Sequence, residues 1–326
     1  MKVLFITTAF NLKIDTDLGE GINLIEEIKL TNNRNFIRKL LTQELYEAIG
    51  FLEYKALASS DAVFYKIVNI EIDDDTADDL LCTFIANCKL ILTEFWLLKD
   101  HAIDIMLGFV EFPYKGNGNI IVSLKEPVVR SNMVKGGAFN SEGKYLPVIF
   151  DLKEVESIKD LNHKGISKPF SFVETKNTNA TKDVDRLNLA QIYIQAARQH
   201  VDLGIKISHY CTALECLFST DSSELSHKLS ERVSSFLAEN TEQKYQIFKD
   251  IKFLYSVRSQ IVHGSPVSAK KIPKLPQYSM MADRVLRNAM NKVIYDKNYS
   301  NIFLTFNREK FEDFLIKMTF GTVEIT

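Results

Sequence analysis

The chain has 326 residues, 46% of them hydrophobic, which suffices for a sizeable core and suggests two domains. Its formal net charge of −2 excludes a protein coated in base for nucleic acid, although a local basic patch stays compatible with it. Residues 182–326 carry about 20 basic and 16 acidic side chains, so the second half is the mildly basic one.

The first half mixes patterns. "KVLFITTAF" (2–10) reads as a first strand, and no small-residue cleavage site follows it. "NNRNFIRKLLTQELYEAIGFLEYKAL" spaces Phe36, Leu40, Leu41, Leu45, Ile49 and Leu52 for a helix, with asparagines before it that can cap. "AVFYKIVNIEI" alternates like a strand. "DDDTADDLLCTFIANCKLILTEFWLLKD" predicts a clear helix with its carboxylates at the N-terminus, where the dipole favours them, and with Trp96 in the core. Short strand-like pieces follow, "IDIMLGFVEFP", "NIIVSLKEPVV" and "KYLPVIFDL", with Gly/Asn turns between them. No uninterrupted apolar stretch reads as long enough to cross a bilayer.

These patterns predict an α+β domain over 1–160. The polar stretch beginning at "ESIKDLNHKG" has little periodicity and reads as a linker, 161–181. An all-α domain is expected over 182–326, with helices at about 183–200, 202–219, 223–238, 242–263 and 277–295 and one more in the tail "FNREKFEDFLIKMTF".

Chemical motifs are sparse. "GEGIN" and "GNGN" lack the third glycine and the strand–turn–helix frame of a phosphate loop. Neither a Gly-x-Ser-x-Gly nor a His-Glu-x-x-His occurs. Cys82, Cys88, Cys211 and Cys216 show no Cys-x-x-Cys spacing and read as reduced, buried thiols of a cytoplasmic protein. No metal or cofactor is expected.

Three stretches of the second half carry more. "SHYCTALECLF" sets Glu215 in an apolar helix, "LSHKLSERVSSFL" sets Arg232 in mid-helix, and "IKFLYSVRSQIVHG" ends in Arg258 and His263. In this order and spacing, over residues 183–268, they resemble the Apea-like branch of the HEPN domains. The resemblance implies a helical bundle that dimerises. It implies a metal-independent endoribonuclease whose Arg-x4-His motif is Arg258 and His263, with Ser259 as the polar residue after the arginine. It also implies a setting in prokaryotic defence against phage or toxin-like growth arrest, with a trigger sensed by the first domain. Other HEPN domains are inactive dimerisation or RNA-binding modules, so that reading stands beside the first.

The chemistry is coherent. Cleavage of RNA by its own 2′-hydroxyl needs one proton removed and one delivered, and histidine suits both near neutrality. An arginine fork can hold the charge gathering on the phosphorane. The expected products are a 2′,3′-cyclic phosphate and a 5′-hydroxyl. Five helical residues, however, set Arg258 and His263 about 140° apart. A helix end at Gly264, or a symmetric dimer, would have to bring them together. Without the motif, His263 reads as a basic cap. Glu215 and Arg232 are expected to be a buried structural set that finds partners, each other among the candidates. Tyr255 is expected to pack on the arginine stem, touch RNA or sit in the core, and His227 to lie on the surface. After the motif, Lys270, Lys271, Lys274, Arg284, Arg287, Lys292 and Lys297 face only Asp283 and Asp296 over residues 264–297, an excess that could grip RNA phosphates.

Overall fold

The computed structural model describes residues 2–113, 128–133, 137–162, 186–221, 223–303 and 307–322. All but the first two residues of the linker expected at 161–181, and most of "NIIVSLKEPVV", lie outside these described residues. The chain forms an N-terminal mixed α/β region with an antiparallel sheet, followed by a mostly helical region. It divides into two compact units, Met1–Gly137 with Tyr145–Asn177, and Ala138–Lys144 with Thr178–Thr326.

In the first unit the strands are β1 (Lys2–Thr8), β2 (Leu12–Ile14), β3 (Ile22–Ile25), β4 (Ile28–Thr31), β5 (Val63–Asn69), β6 (Leu107–Phe112), β7 (Val128–Met133) and β8 (Val148–Phe150). Six of them form an antiparallel sheet in the order β3-β4-β5-β1-β6-β7, and β2 pairs with β8 in parallel. The inner strand β1 explains its unbroken apolar run, because both its faces are covered. Val3 and Phe5 join one core with α4 (Asp74–Leu98) and α5 (Leu152–Asn162). Leu4 and Ile6 join a second core, on the opposite face, with α1 (Arg34–Leu40), α2 (Gln43–Ile49) and α3 (Phe51–Ser59).

Those last three helices correct the single helix expected over 32–57. Leu41 is extended, the Thr42 side chain accepts from the backbone N–H of Leu45 and starts a new helix, and Gly50 adopts φ 82°. A second correction is α5, which lies where a polar connection is expected. Its start is a reciprocal cap: the Asp151 carboxylate accepts from the Glu154 N–H at 2.8 Å, and Glu154 accepts from the Asp151 N–H at 3.0 Å. Val155 and Ile158 supply its buried stripe. Helix α4 is the clear helix expected, and Asp78, Asp79, Lys89 and Glu94 interrupt its apolar run. Thr76–Leu98 is, by length and composition, long and apolar enough to cross a membrane, and 61% of its most apolar window is buried inside the fold. Asp73 caps that helix through the N–H of Thr76.

The second unit holds α6 (Arg186–Arg198), α7 (Leu203–Phe218), α8 (Leu225–Leu237), α9 (Thr241–Val262), α10 (Leu275–Tyr295), α11 (Lys297–Phe303) and α12 (Arg308–Thr319). The short α11 lies outside the helices expected from apolar spacing. Helix α7 is the central one, packed by α6, α9 and α10 and burying Ile207, Tyr210, Leu214, Leu217 and Phe218. A cluster of rings, Phe218, Phe236, Phe303 and Phe311, with centroids 5.2–5.8 Å apart, seats α11 and α12.

Ala138–Lys144, which the sequence reading places inside the first domain, belongs to this helical unit. Its turn is closed by Gly143, whose N–H donates to the Asn140 carbonyl at 2.9 Å and whose φ is +74°. A Cβ there would stand 2.3 Å from the Val201 carbonyl oxygen. The Phe139 N–H donates to the Arg198 carbonyl at 2.8 Å, and Ser279 Oγ donates to the Ser141 carbonyl at 2.5 Å. Lys206, with no exposed surface, donates through Nζ to the carbonyl of Ala197 at 2.9 Å and lies 3.5 Å from that of Phe139.

Glu94 on α4 is buried, its Oε2 accepts no hydrogen bond among the described residues, and burial raises its pKa to about 8. The folded state therefore binds a proton that the unfolded chain releases near the ordinary carboxyl range. Stability contributed by this group falls as pH rises from about 4.5 towards about 8. Glu94→Gln is expected to flatten that slope and to be more stable than the wild type at pH above 8. Urea denaturation across this range tests it, and an unchanged slope would refute the assignment.

Candidate active site on the helical unit

Helix α9 carries the motif. Asn240 caps its start through the N–H of Gln243 at 2.9 Å. Ile251, Leu254 and Val257 form its buried stripe. Arg258 follows directly on that stripe and so faces inward, towards α7.

There it meets Glu215. Arg258 Nη2 lies 2.9 Å from Glu215 Oε2, with the side chains 21% and 14% exposed. Tyr255 lies one turn earlier, its ring centroid 5.2 Å from the guanidinium carbon, so the ring faces the charged head of the arginine. Burial raises the Glu215 pKa, and Arg258 and the Tyr255 hydroxyl pull it partly back. Burial also raises the Tyr255 phenol, and the Glu215 charge adds to it. Glu215 Oε1 and Arg258 Nε make no hydrogen bond among the described residues, so the cluster has capacity to spare.

Glu215 and Arg232 thus each find partners, and they are not each other's. Arg232 is 6% exposed and donates to the Phe218 carbonyl at 2.9 Å and to Thr220 Oγ1 at 3.3 Å, and its Nη2 lies 3.7 Å from Glu312 Oε1. Arg186 donates to the carbonyls of Cys216 at 3.1 Å and Ser219 at 2.7 Å. Two guanidiniums thus hold the carbonyl end of α7, where the helix dipole is negative. Arg232 supports the bundle and does not meet Glu215 in any hydrogen bond or ion pair among the described residues.

His263 is the C-cap of α9, with φ −86° and ψ 11°, and is exposed. Gly264, at φ +68°, ends the helix: its N–H donates to the Ile261 carbonyl at 3.0 Å, and the Ser265 N–H donates to that of Gln260 at 2.8 Å. The imidazole thus stands exposed on a helix end capped by the Gly264 and Ser265 N–H groups. Within one chain, Arg258 turns to α7 and His263 to solvent, as their helical phase requires. Ser259, half-buried, accepts the His263 N–H through its carbonyl at 3.1 Å.

The basic excess after the motif divides in the fold. Lys271 donates to the Ser256 carbonyl at 3.1 Å and to Gln260 Oε1 at 3.0 Å, which fastens the following loop to α9. Arg287 pairs with the fully buried Asp283 at 2.8 Å, and Lys292 donates to the Phe236 carbonyl at 2.6 Å. Lys270, Lys274 and Arg284 stay exposed. His227 is exposed, with its ring edge-on to Phe248 at 5.4 Å.

Other chemistries have less to stand on. Burial pushes the Cys211 thiol well up and the Cys216 thiol up to about 12, so neither offers a thiolate near neutrality. Among the described residues no group of three His, Cys, Asp or Glu side chains is placed to share a metal. The first unit has a shallow cavity of about 250 Å3 lined by Lys2, Lys39, Thr42 and Glu111, in which Thr42 donates to Glu111 at 2.9 Å.

Removing either member of the Glu215–Arg258 pair leaves the other charge half-buried. Glu215→Ala and Arg258→Ala are each expected to cost about 1–3 kcal/mol, and the double variant clearly less than their sum. A double-mutant cycle by urea denaturation measures this coupling, and strict additivity would show that the pair carries no interaction energy.

Comparison with protein-family models, with curated proteins and with solved structures gives no match to this chain.

Proposed function

We propose that the chain is a metal-independent endoribonuclease of the HEPN type, acting as a homodimer through its helical unit. The observation that carries this reading is the exposed imidazole of His263, presented on a capped helix end five residues after an anchored arginine. His263 serves as the general acid–base, removing the 2′-hydroxyl proton or protonating the leaving 5′-oxygen. Arg258 holds the phosphorane charge after exchanging Glu215 for phosphate, or from the second chain of the dimer. Tyr255 and Glu215 fix the guanidinium, and Ser259 lies beside it. Lys270 and Lys274 offer phosphate contacts, while Lys271 already serves the loop. The first unit acts as the sensor that gates the nuclease in a cytoplasmic defence or growth-arrest system, without a cofactor.

The ion pair also favours a second reading. An arginine neutralised by a carboxylate at 2.9 Å is well suited to hold α7 to α9, and in that role the helical unit would be a dimerisation or RNA-binding module.

Purified wild type, His263→Ala and Arg258→Ala are to be incubated with total cellular RNA in EDTA, with product ends and melting temperatures measured. A nuclease predicts cyclic-phosphate ends from the wild type only. Loss of cleavage by about 100-fold or more, with an unchanged melting temperature, is expected for His263→Ala, because the side chain is exposed. Cleavage that survives in His263→Ala refutes its role. A wild type without cleavage favours the module, because the stability lost in Arg258→Ala is expected under both readings.

A further inference from the structure

The solvent face of α9 is chemically uneven. On a helix turning about 100° per residue, Tyr245, Lys249, Lys252, Ser256, Ser259 and the capping His263 fall within about 40° of one line. That line is about 27 Å long. Tyr245 is 58% exposed, and Lys249, Lys252 and His263 are exposed as well.

Rings and ammonium groups alternate along its first half. Lys249 Nζ lies 4.6 Å from the Tyr245 ring centroid, and Lys252 Nζ lies 5.5 Å from that of Phe248. His227 of α8 stands edge-on to Phe248, which widens the platform. Among the described residues neither lysine is held in an ion pair. Of the acids on α9, Glu242 lies in the first turn, and Asp250 points about 140° from the line, where it accepts a hydrogen bond from Gln246 at 2.9 Å and feels the charges of Arg284 and Lys249 without an ion pair to either among the described residues.

We infer that this face is a track for single-stranded RNA, leading the strand from Tyr245 to His263. The inference rests on the proposed nuclease reading, which it extends to a substrate class. An exposed ring takes the face of an unpaired base, and a lysine beside it takes the next phosphate. A duplex hides its base faces in the stack and offers only phosphates. An acidic peptide would satisfy the lysines but has no flat group for Tyr245.

The test uses the full chain and a short 2′-O-methyl oligonucleotide, which cannot cleave itself, read by fluorescence anisotropy. Tyr245→Ala is expected to weaken binding about tenfold. Lys249→Ala/Lys252→Ala is expected to lower the slope of log affinity against log salt by about 1.4. A duplex of the same sequence is expected to bind more weakly than the single strand. All these side chains are exposed or half-buried at the surface, so melting temperatures should hold. The track is overturned by absent binding, by binding indifferent to both variants, or by preference for duplex. It is also overturned if the variants shift the sedimentation of the protein alone and not its RNA affinity, which would make the face a contact between copies. The two readings fail separately. Cleavage through His263 with binding indifferent to the variants removes the track alone. Variant-sensitive binding without cleavage removes the nuclease alone.

Discussion

The ion pair between Glu215 and Arg258 fixes how α9 is turned about its own axis. A helix lying on a bundle through Ile251, Leu254 and Val257 could still roll by some tens of degrees. A half-buried charge that must meet its partner across the interface removes that freedom, because any roll would leave both groups desolvated and unpaired. Once Arg258 is set against α7, the opposite side of α9 is set towards water. The exposure of Tyr245, Lys249, Lys252 and His263 is then a consequence of the same contact. The partner helix is held just as firmly, since Arg186 and Arg232 take up the carbonyls at its C-terminal end.

The same contact decides what the motif can do in one chain. Arg258 and His263 are near in sequence and divided by helical phase, one facing protein and the other solvent. A phosphate arriving at His263 would find the arginine engaged. A second chain, or a substrate able to compete with Glu215, is the physical requirement that the motif imposes. Among the described residues Glu215 Oε1 and Arg258 Nε have no hydrogen-bond partner, so the engagement is less than complete.

Much of this arrangement was legible in the sequence. The long helices of the second unit appear where apolar spacing places them, because burial of one stripe decides them. The 140° separation of Arg258 and His263 follows from position alone. The partner of Glu215 was also within reach. Arg258 stands four residues after Leu254 and seven after Ile251, on the buried stripe, whereas Arg232 stands where it can reach the end of α7. Two opposite charges on facing buried stripes should pair. Other features were harder to read. Strands β2, β3 and β4 are three or four residues long, too short for alternation to register. The breaks between α1, α2 and α3 depend on Thr42 and Gly50 overriding an apolar pattern that runs through them. The signal for α5 was present as Asp151 and Glu154, masked by a polar composition.

The turn Ala138–Lys144 carries a consequence for the order in which the protein matures. It leaves the ribosome before any helix of the unit into which it is built. Until α6, α7 and α10 have been made, Phe139 and Ser141 have no partners there, so the segment must wait as an open loop. Conversely, a fragment beginning at residue 178 would lack the Phe139 carbonyl beside Lys206 and the Ser141 carbonyl that Ser279 holds. The helical unit is therefore discontinuous along the chain, and its assembly is timed by the last of its pieces to be synthesised.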